Sequence, residues 1–341
     1  MLPGILRVWI PLIVFPALSA IAFHFLLGNL AKSGGAAQVA KQCPTEGSGP
    51  NALSYTGVPS IDGTLCILVS FFEAALHPDN LPLNVEFATS MAALVPLPMI
   101  EASRQGRCIV LAFPVLIGIA YQLFGAGAAF PIYCLLFILA GHHRLASPQA
   151  KITRAHAEAT LFALLIGFVV LTGLMYALED AVVTAIWQAF PLWMSVLQTC
   201  HLLVRRPSRH PESGYRVTQL TYLLTFLLAA AGHVAVMYHL WGDVAAIKHY
   251  FTPVIEPSAG ATPLSTATMQ FLQWDGTFFF GATELATFWF AESLPQLVMI
   301  LLWNVAATIA FGPGAAVAGV FMWREARLNG GGSRGRVRKD Q

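Results

Sequence analysis

Charge is what this chain has least of. Only 11% of its 341 residues are Asp, Glu, Lys or Arg, and mean hydropathy is +0.65. Soluble domains carry about 25% charged residues, so a soluble globular architecture is excluded. No basic stripe interleaves with aromatics, which excludes a nucleic-acid partner despite a net charge of +2. Metal signatures are missing as well. There is no HExxH or DDxxD cluster, and no histidine pair stands at ligand spacing beside a carboxylate base. Ionising a diphosphate needs an aspartate-rich magnesium site, so neither a metal nor any other cofactor is expected. The five cysteines (Cys43, Cys66, Cys108, Cys134, Cys200) show no disulfide framework and read as inert, mostly buried thiols. No internal repeat is evident, which disfavours transporter folds built from duplicated halves.

What is there is apolar sequence in long runs: 8–30, 63–76, 83–100, 108–124, 126–141, 159–178, 182–204, 217–240, 271–290 and 297–322. Crossing a ~30 Å hydrocarbon core takes roughly 20 residues, so these runs predict about 8–10 spans. The expected fold is an all-α integral membrane protein, a kinked multi-helix transmembrane bundle enclosing an apolar pocket. Pro96, Pro98, Pro114, Pro131, Pro191 and Pro313 fall within runs and supply the kinks. Residues 1–329 form the polytopic domain, with a flexible loop at 31–62 and a long non-cytoplasmic connection at 241–270. Residues 330–341 read as a disordered basic tail.

Loop charge sets orientation. With ten spans, Lys32 and Lys41, Arg104 and Arg107, Arg144, Lys151 and Arg154, and Arg205, Arg206, Arg209 and Arg216 share one side. The positive-inside rule makes that side cytoplasmic. The tail, with Arg334, Arg336, Arg338 and Lys339, then falls on the wrong side, which this count does not resolve. The expected location is an integral membrane one, the endoplasmic reticulum.

Ionisable groups at membrane depth are expensive, so each is a functional candidate. Glu73 lies in an apolar run with His77 one helical turn on, the spacing of a helical pair. Asp275 follows Trp274 at the mouth of another run, where an N-cap is the plain alternative. His239 and Trp241 close the eighth run on the same non-cytoplasmic side, and His233 lies deeper in that run. For the histidines the plain alternative is bonding across helices, and for Trp241 a place in the interfacial aromatic belt. Glu101 and Arg104, at i and i+3 beyond the third run, suit either an ion pair or a site. An apolar surrounding favours the neutral form of a carboxyl, which can then protonate an epoxide oxygen or an alkene carbon. The resulting cation must be shielded from water, and aromatic faces stabilise it. The chain holds 23 phenylalanines, eight tryptophans and eight tyrosines, with Phe278, Phe279 and Phe280 close after Asp275.

Three motifs carry a resemblance: Phe271-Leu272-Gln273-Trp274-Asp275, Glu101-Ala102-Ser103-Arg104, and Gly312-Pro313-Gly314-Ala315-Ala316 followed by Trp323-Arg324-Glu325. Their order resembles fungal integral-membrane terpene cyclases of meroterpenoid pathways, the ascochlorin, ascofuranone and macrophorin type. The resemblance implies a metal-independent cyclase that protonates a farnesyl chain, as its terminal epoxide or an olefin, on a phenol or quinone head group. By motif position it gives the proton-donor role to Asp275, with Glu101 as second acid. Glu73 comes from the residues alone, so the donor stays open among the three. His77, Arg104, Trp274, Phe278, His233, His239 and Trp241 are the expected substrate-binding residues. Two rival readings remain: a sterol-type double-bond isomerase, and a membrane transporter or receptor using intramembrane charges.

Overall fold

In lipid no water is at hand to satisfy backbone N–H and C=O groups, so long apolar runs fold as helices, which satisfy them internally. The computed structural model describes residues 4–44, 49–145, 148–257, 260 and 262–334, and every long element in them is helical. The helices are α1 (Gly4–Lys32), α2 (Gly35–Gln42), α3 (Pro59–Ala75), α4 (Leu81–Leu94), α5 (Pro96–Ala102), α6 (Pro114–Phe124), α7 (Ala126–Leu139) and α8 (Arg154–Leu164). A π-helical stretch, Leu165–Val170, leads into α9 (Leu171–Leu178). Then come α10 (Ala181–Gln188), α11 (Phe190–Val204), α12 (Tyr215–His239), α13 (Val244–Phe251), α14 (Leu264–Thr287), α15 (Leu294–Phe311) and α16 (Pro313–Arg334).

Among the described residues, five helical segments are long and apolar enough to cross a membrane, or six if the bent pair α10–α11 is one span. The chain is therefore an integral membrane helix bundle. Fewer elements cross than there are apolar runs, because several runs do other work. Asn29 Nδ2 donates to Val254 O and Asn80 Nδ2 to Ser265 O, so the end of α1, the start of α4 and the start of α14 share one end of the bundle. The 17-residue α3 both follows and precedes that end, packed on α2, α10 and α14. The opposite end gathers Arg104, Arg107, Arg144, Lys151, Arg205, Arg324 and Arg327 and is the basic end.

Two helical hairpins enter from the basic end and return to it. In the first, α6 and α7 turn at Gly125, and the foot is closed where Cys108 N–H donates to His142 Nε2 at 3.2 Å. In the second, α15 and α16 turn at Gly312, and Arg327 bonds Glu292 and Gln296 at the foot. The tips read Phe124-Gly125-Ala126-Gly127-Ala128-Ala129 and Phe311-Gly312-Pro313-Gly314-Ala315-Ala316. Gly125 and Gly312 have φ of +89° and +86°, a region that favours glycine. Surroundings match too: α1 packs on α7 and α14, while α12 packs on α16 and α4. The chain thus contains a repeat of long helix, inward helix and tip-down hairpin, contrary to the expectation of none. It is hard to see in the sequence because the paired hairpin helices differ in length and share only the tip.

Three further expectations change. Cys43 and Cys66 form a disulfide, so these two are not inert thiols. The 31–62 loop contains α2, and the 241–270 connection contains α13 and the first turns of α14. α16 runs on to Arg334, past the expected start of the tail at 330; residues 335–341, with Arg336, Arg338 and Lys339, lie outside the described residues.

Candidate active site

Asp275 sits in the fourth turn of α14, 5% exposed, in the middle of the bundle. The helix is apolar around it because it is covered on several sides, by α1, α3, α4, α7 and α16. The tip of the first hairpin meets this carboxylate: Gly127 N–H donates to Asp275 Oδ1 at 2.7 Å. Amides in the first turn of a helix have no partner within it, and the helix dipole favours negative charge there. A Cβ on Gly125 would lie 2.8 Å from Oδ1, so only glycine lets the turn close on the acid.

On its open side Asp275 borders a cavity of about 370 Å³, within the ~300–1,000 Å³ of ordinary small-molecule sites. The walls are mostly apolar and rich in rings: Phe71, Phe72, Phe87, Tyr121, Phe124, Tyr176, Trp187 and Phe271. Polar groups are few. Gln122 is held by its amide to Gln188, and Tyr176 O–H donates to Asn84 O at 3.1 Å. The rest of the lining includes Leu27 and Leu30 of α1, Ala36, Val39 and Ala40 of α2, and Ile67 and Leu68 of α3.

Of the expected site residues, Asp275 alone borders this cavity. Glu73 is exposed and accepts from Asn51 Nδ2 at 2.6 Å. His77 does not reach it, because α3 stops at Ala75; the ring instead caps the turn Pro78–Asn80 and lies 3.4 Å from Asp79. Trp274 stacks on Phe25 at 4.0 Å and donates to Val254 O, on the α1 face of α14. Phe278 packs there too, against Leu26 and Ala128. His239 and Trp241 are exposed at the end of α12, Trp241 at 87%.

Glu101 and Arg104 lie at the basic end in a fully buried ion cluster. Glu101 meets Arg104 at 2.9 Å, Arg324 at 2.7 Å and His142 at 3.0 Å, and Arg104 meets Glu325 at 2.6 Å. The Arg324 guanidinium also stands over the rings of Phe137, Phe290 and Phe321. Here the two motifs Glu101–Arg104 and Trp323–Glu325, far apart in sequence, come together. His233, on α12, bonds Glu86 Oε2 at 2.9 Å and Ile309 O at 3.1 Å. That pair adjoins the second hairpin tip, where Gly314 N–H donates to Ser90 Oγ and a Cβ on Gly312 would meet Glu86. Among the described residues no group of three or more His, Cys, Asp or Glu is gathered as for a metal ion.

Sequence reasoning missed the hairpin tip, the lining rings and α2. The available signal was Gly-x-Gly between two apolar halves, each too short to span alone.

A covered carboxylate facing an aromatic-lined chamber, inside a membrane helix bundle, defines the class of this protein. Residues 8–328 match the CtvD domain, and the chain belongs to that family. It is 26% identical over 252 residues to terpene cyclase ascI of Acremonium egyptiacum, covering 66% of this chain and 64% of that one. It is 24% identical over 247 residues to terpene cyclase atmA of Aspergillus flavus, covering 65% and 66%. It is also 25% identical over 284 residues to the FAD-dependent monooxygenase verC1 of Penicillium polonicum, covering 76% of this chain and 34% of that protein. The chain thus spans about two thirds of the two cyclases and a third of the monooxygenase. No solved structure matches.

Proposed function

We propose that this protein is a terpene cyclase in which Asp275 starts the reaction by protonating a prenyl chain held in the chamber. The observation that carries this reading is the single carboxylate between the aromatic chamber and the α7 amide. An apolar wall gives a carboxylate no water to solvate it, so the acid enters the reaction with its proton. Transfer of that proton to an epoxide oxygen opens the C–O bond and leaves a tertiary carbocation. A neighbouring alkene attacks the cation, closing a ring and moving the charge along the chain. Loss of a proton at the end forms an alkene and restores the acid, so product and substrate are isomers. The Gly127 N–H and the α7 dipole receive the Asp275 anion as it forms, which is electrostatic stabilisation where charge develops. Lining rings such as Phe87, Trp187 and Phe271 offer faces to the cation.

Similarity to two proteins named terpene cyclases supports a terpenoid substrate; a farnesylated phenol or quinone fits the chamber's chemistry. In this reading the working membrane is that of the endoplasmic reticulum.

The test is to incubate membranes holding the protein with a farnesylated phenol and with its terminal epoxide. Mass spectrometry and NMR then follow the products. A ring-closed isomer made by the native chain and not by Asp275→Asn is the expected result. Unchanged ring count in the product would point to double-bond isomerisation, and full turnover by Asp275→Asn would remove that residue from the chemistry.

A further inference from the structure

The structure assigns to α2 the role of a substrate-selecting wall, which the Cys43–Cys66 disulfide positions from the lumenal face of the membrane. This rests on the chamber's being the reaction site. Ala36, Val39 and Ala40 of α2 and Ile67 and Leu68 of α3 all line the chamber. Cys43 closes α2 and Cys66 immediately precedes Ile67, so the disulfide joins these two lining helices beside the chamber. At its start α2 is seated by close approach: a Cβ on Gly35 would lie 2.9 Å from that of Ala267, and Gln38 Nε2 donates to Thr262 O at 2.7 Å. An eight-residue helix has little stability of its own, so these tethers hold it. Its two chamber-facing alanines are small, and the room they leave is room for chain length.

Disulfides persist in oxidising compartments and are rare in the cytosol. That places the Cys43–Cys66 end on the lumenal side. Arginine concentrates at the other end, which the positive-inside rule makes cytoplasmic, so two unrelated signals agree. At the basic end the interior is occupied by the buried cluster of Glu101, Arg104, Arg324 and Glu325, none of which borders the chamber. Substrate therefore reaches Asp275 from the lumenal half of the bilayer, past α2.

Two experiments test this. In sealed microsomes, a maleimide-polyethylene glycol should modify Ser208→Cys, an exposed control at the basic end, and leave Cys43 and Cys66 untouched even with an impermeant reductant outside. After permeabilisation and reduction both should react. Labelling of either in sealed vesicles, or without reduction, overturns the placement. Second, Ala36→Leu and Ala40→Leu should lower kcat/KM for a farnesylated phenol epoxide by about tenfold or more relative to its geranyl homologue, the scale of a few methylenes in an apolar pocket. Equal loss for both lengths overturns the wall. Cys43→Ser/Cys66→Ser should raise KM with kcat held; an unchanged KM removes the disulfide from positioning. If the double variant does not accumulate, the native protein in permeabilised membranes with and without reductant gives the same comparison. Should native protein turn over neither length, the cyclase reading fails, and the labelling result still decides on which side α2 lies.

Discussion

Asp275 does two things that substitution can separate. It accepts the Gly127 amide, and it faces the chamber. Asparagine keeps an oxygen for the amide but carries no acidic proton. Asp275→Asn should accumulate like the native protein and lose at least about 100-fold in kcat, the low end of general acid catalysis. Asp275→Leu should also lose the hairpin's anchor, seen as lower membrane accumulation and a lower melting temperature in detergent. Arg324 belongs to a different chemistry. Arg324→Met removes one partner of the buried Glu101 carboxylate, and breaking such a pair costs about 3–5 kcal/mol. Thermal unfolding should register that loss even where the remaining folded enzyme turns over normally. The burial of Asp275 was legible in the sequence because it stands beside a long apolar run; the N-cap alternative fails because α14 begins eleven residues earlier, at Leu264. Glu73 read the same way and is exposed, because the chain turns at Leu76 and leaves it at the surface.

At the scale of elements, the two hairpin tips make a matched pair for mutation. Alanine at Gly125 would be strained by a φ of +89° and pressed against Asp275 Oδ1; alanine at Gly312 would be strained by +86° and pressed against Glu86 Oε1. Each backbone strain costs about 1–3 kcal/mol. The consequences should differ. Gly125→Ala moves the acid relative to the chamber, so kcat falls more than stability does. Gly312→Ala disturbs Glu86, which does not border the chamber, so melting temperature falls and kcat of the folded fraction holds. Parallel detergent melts and turnover measurements distinguish the two. The apolar runs on either side of each glycine were legible, but as separate spans. Hydropathy measures the affinity of a segment for lipid and carries nothing about whether a helix continues or doubles back.

For the whole molecule, orientation was the weakest part of the sequence reading, and the reason is geometric. Counting 63–76 as a crossing put Lys32 and Lys41 with the arginines and stranded the basic tail. In the structure α3 stays at the disulfide end, and α16 returns to the basic end, so the arginine-rich loops and α16's last turns share a side. A protease-sensitive tag added after Gln341 should therefore be clipped from the same face of sealed microsomes as one inserted at Ser208. Opposite sensitivities would refute the returning hairpin. The first hairpin also constrains biogenesis. Its tip leaves helix-start amides buried inside the bundle, and the carboxylate that satisfies one of them is synthesised almost 150 residues later. A nascent chain that has left the ribosome only as far as α12 holds a hairpin with no anchor. Only when α14 arrives does the tip gain this partner, so the carboxylate proposed as proton donor also completes the packing of the first hairpin.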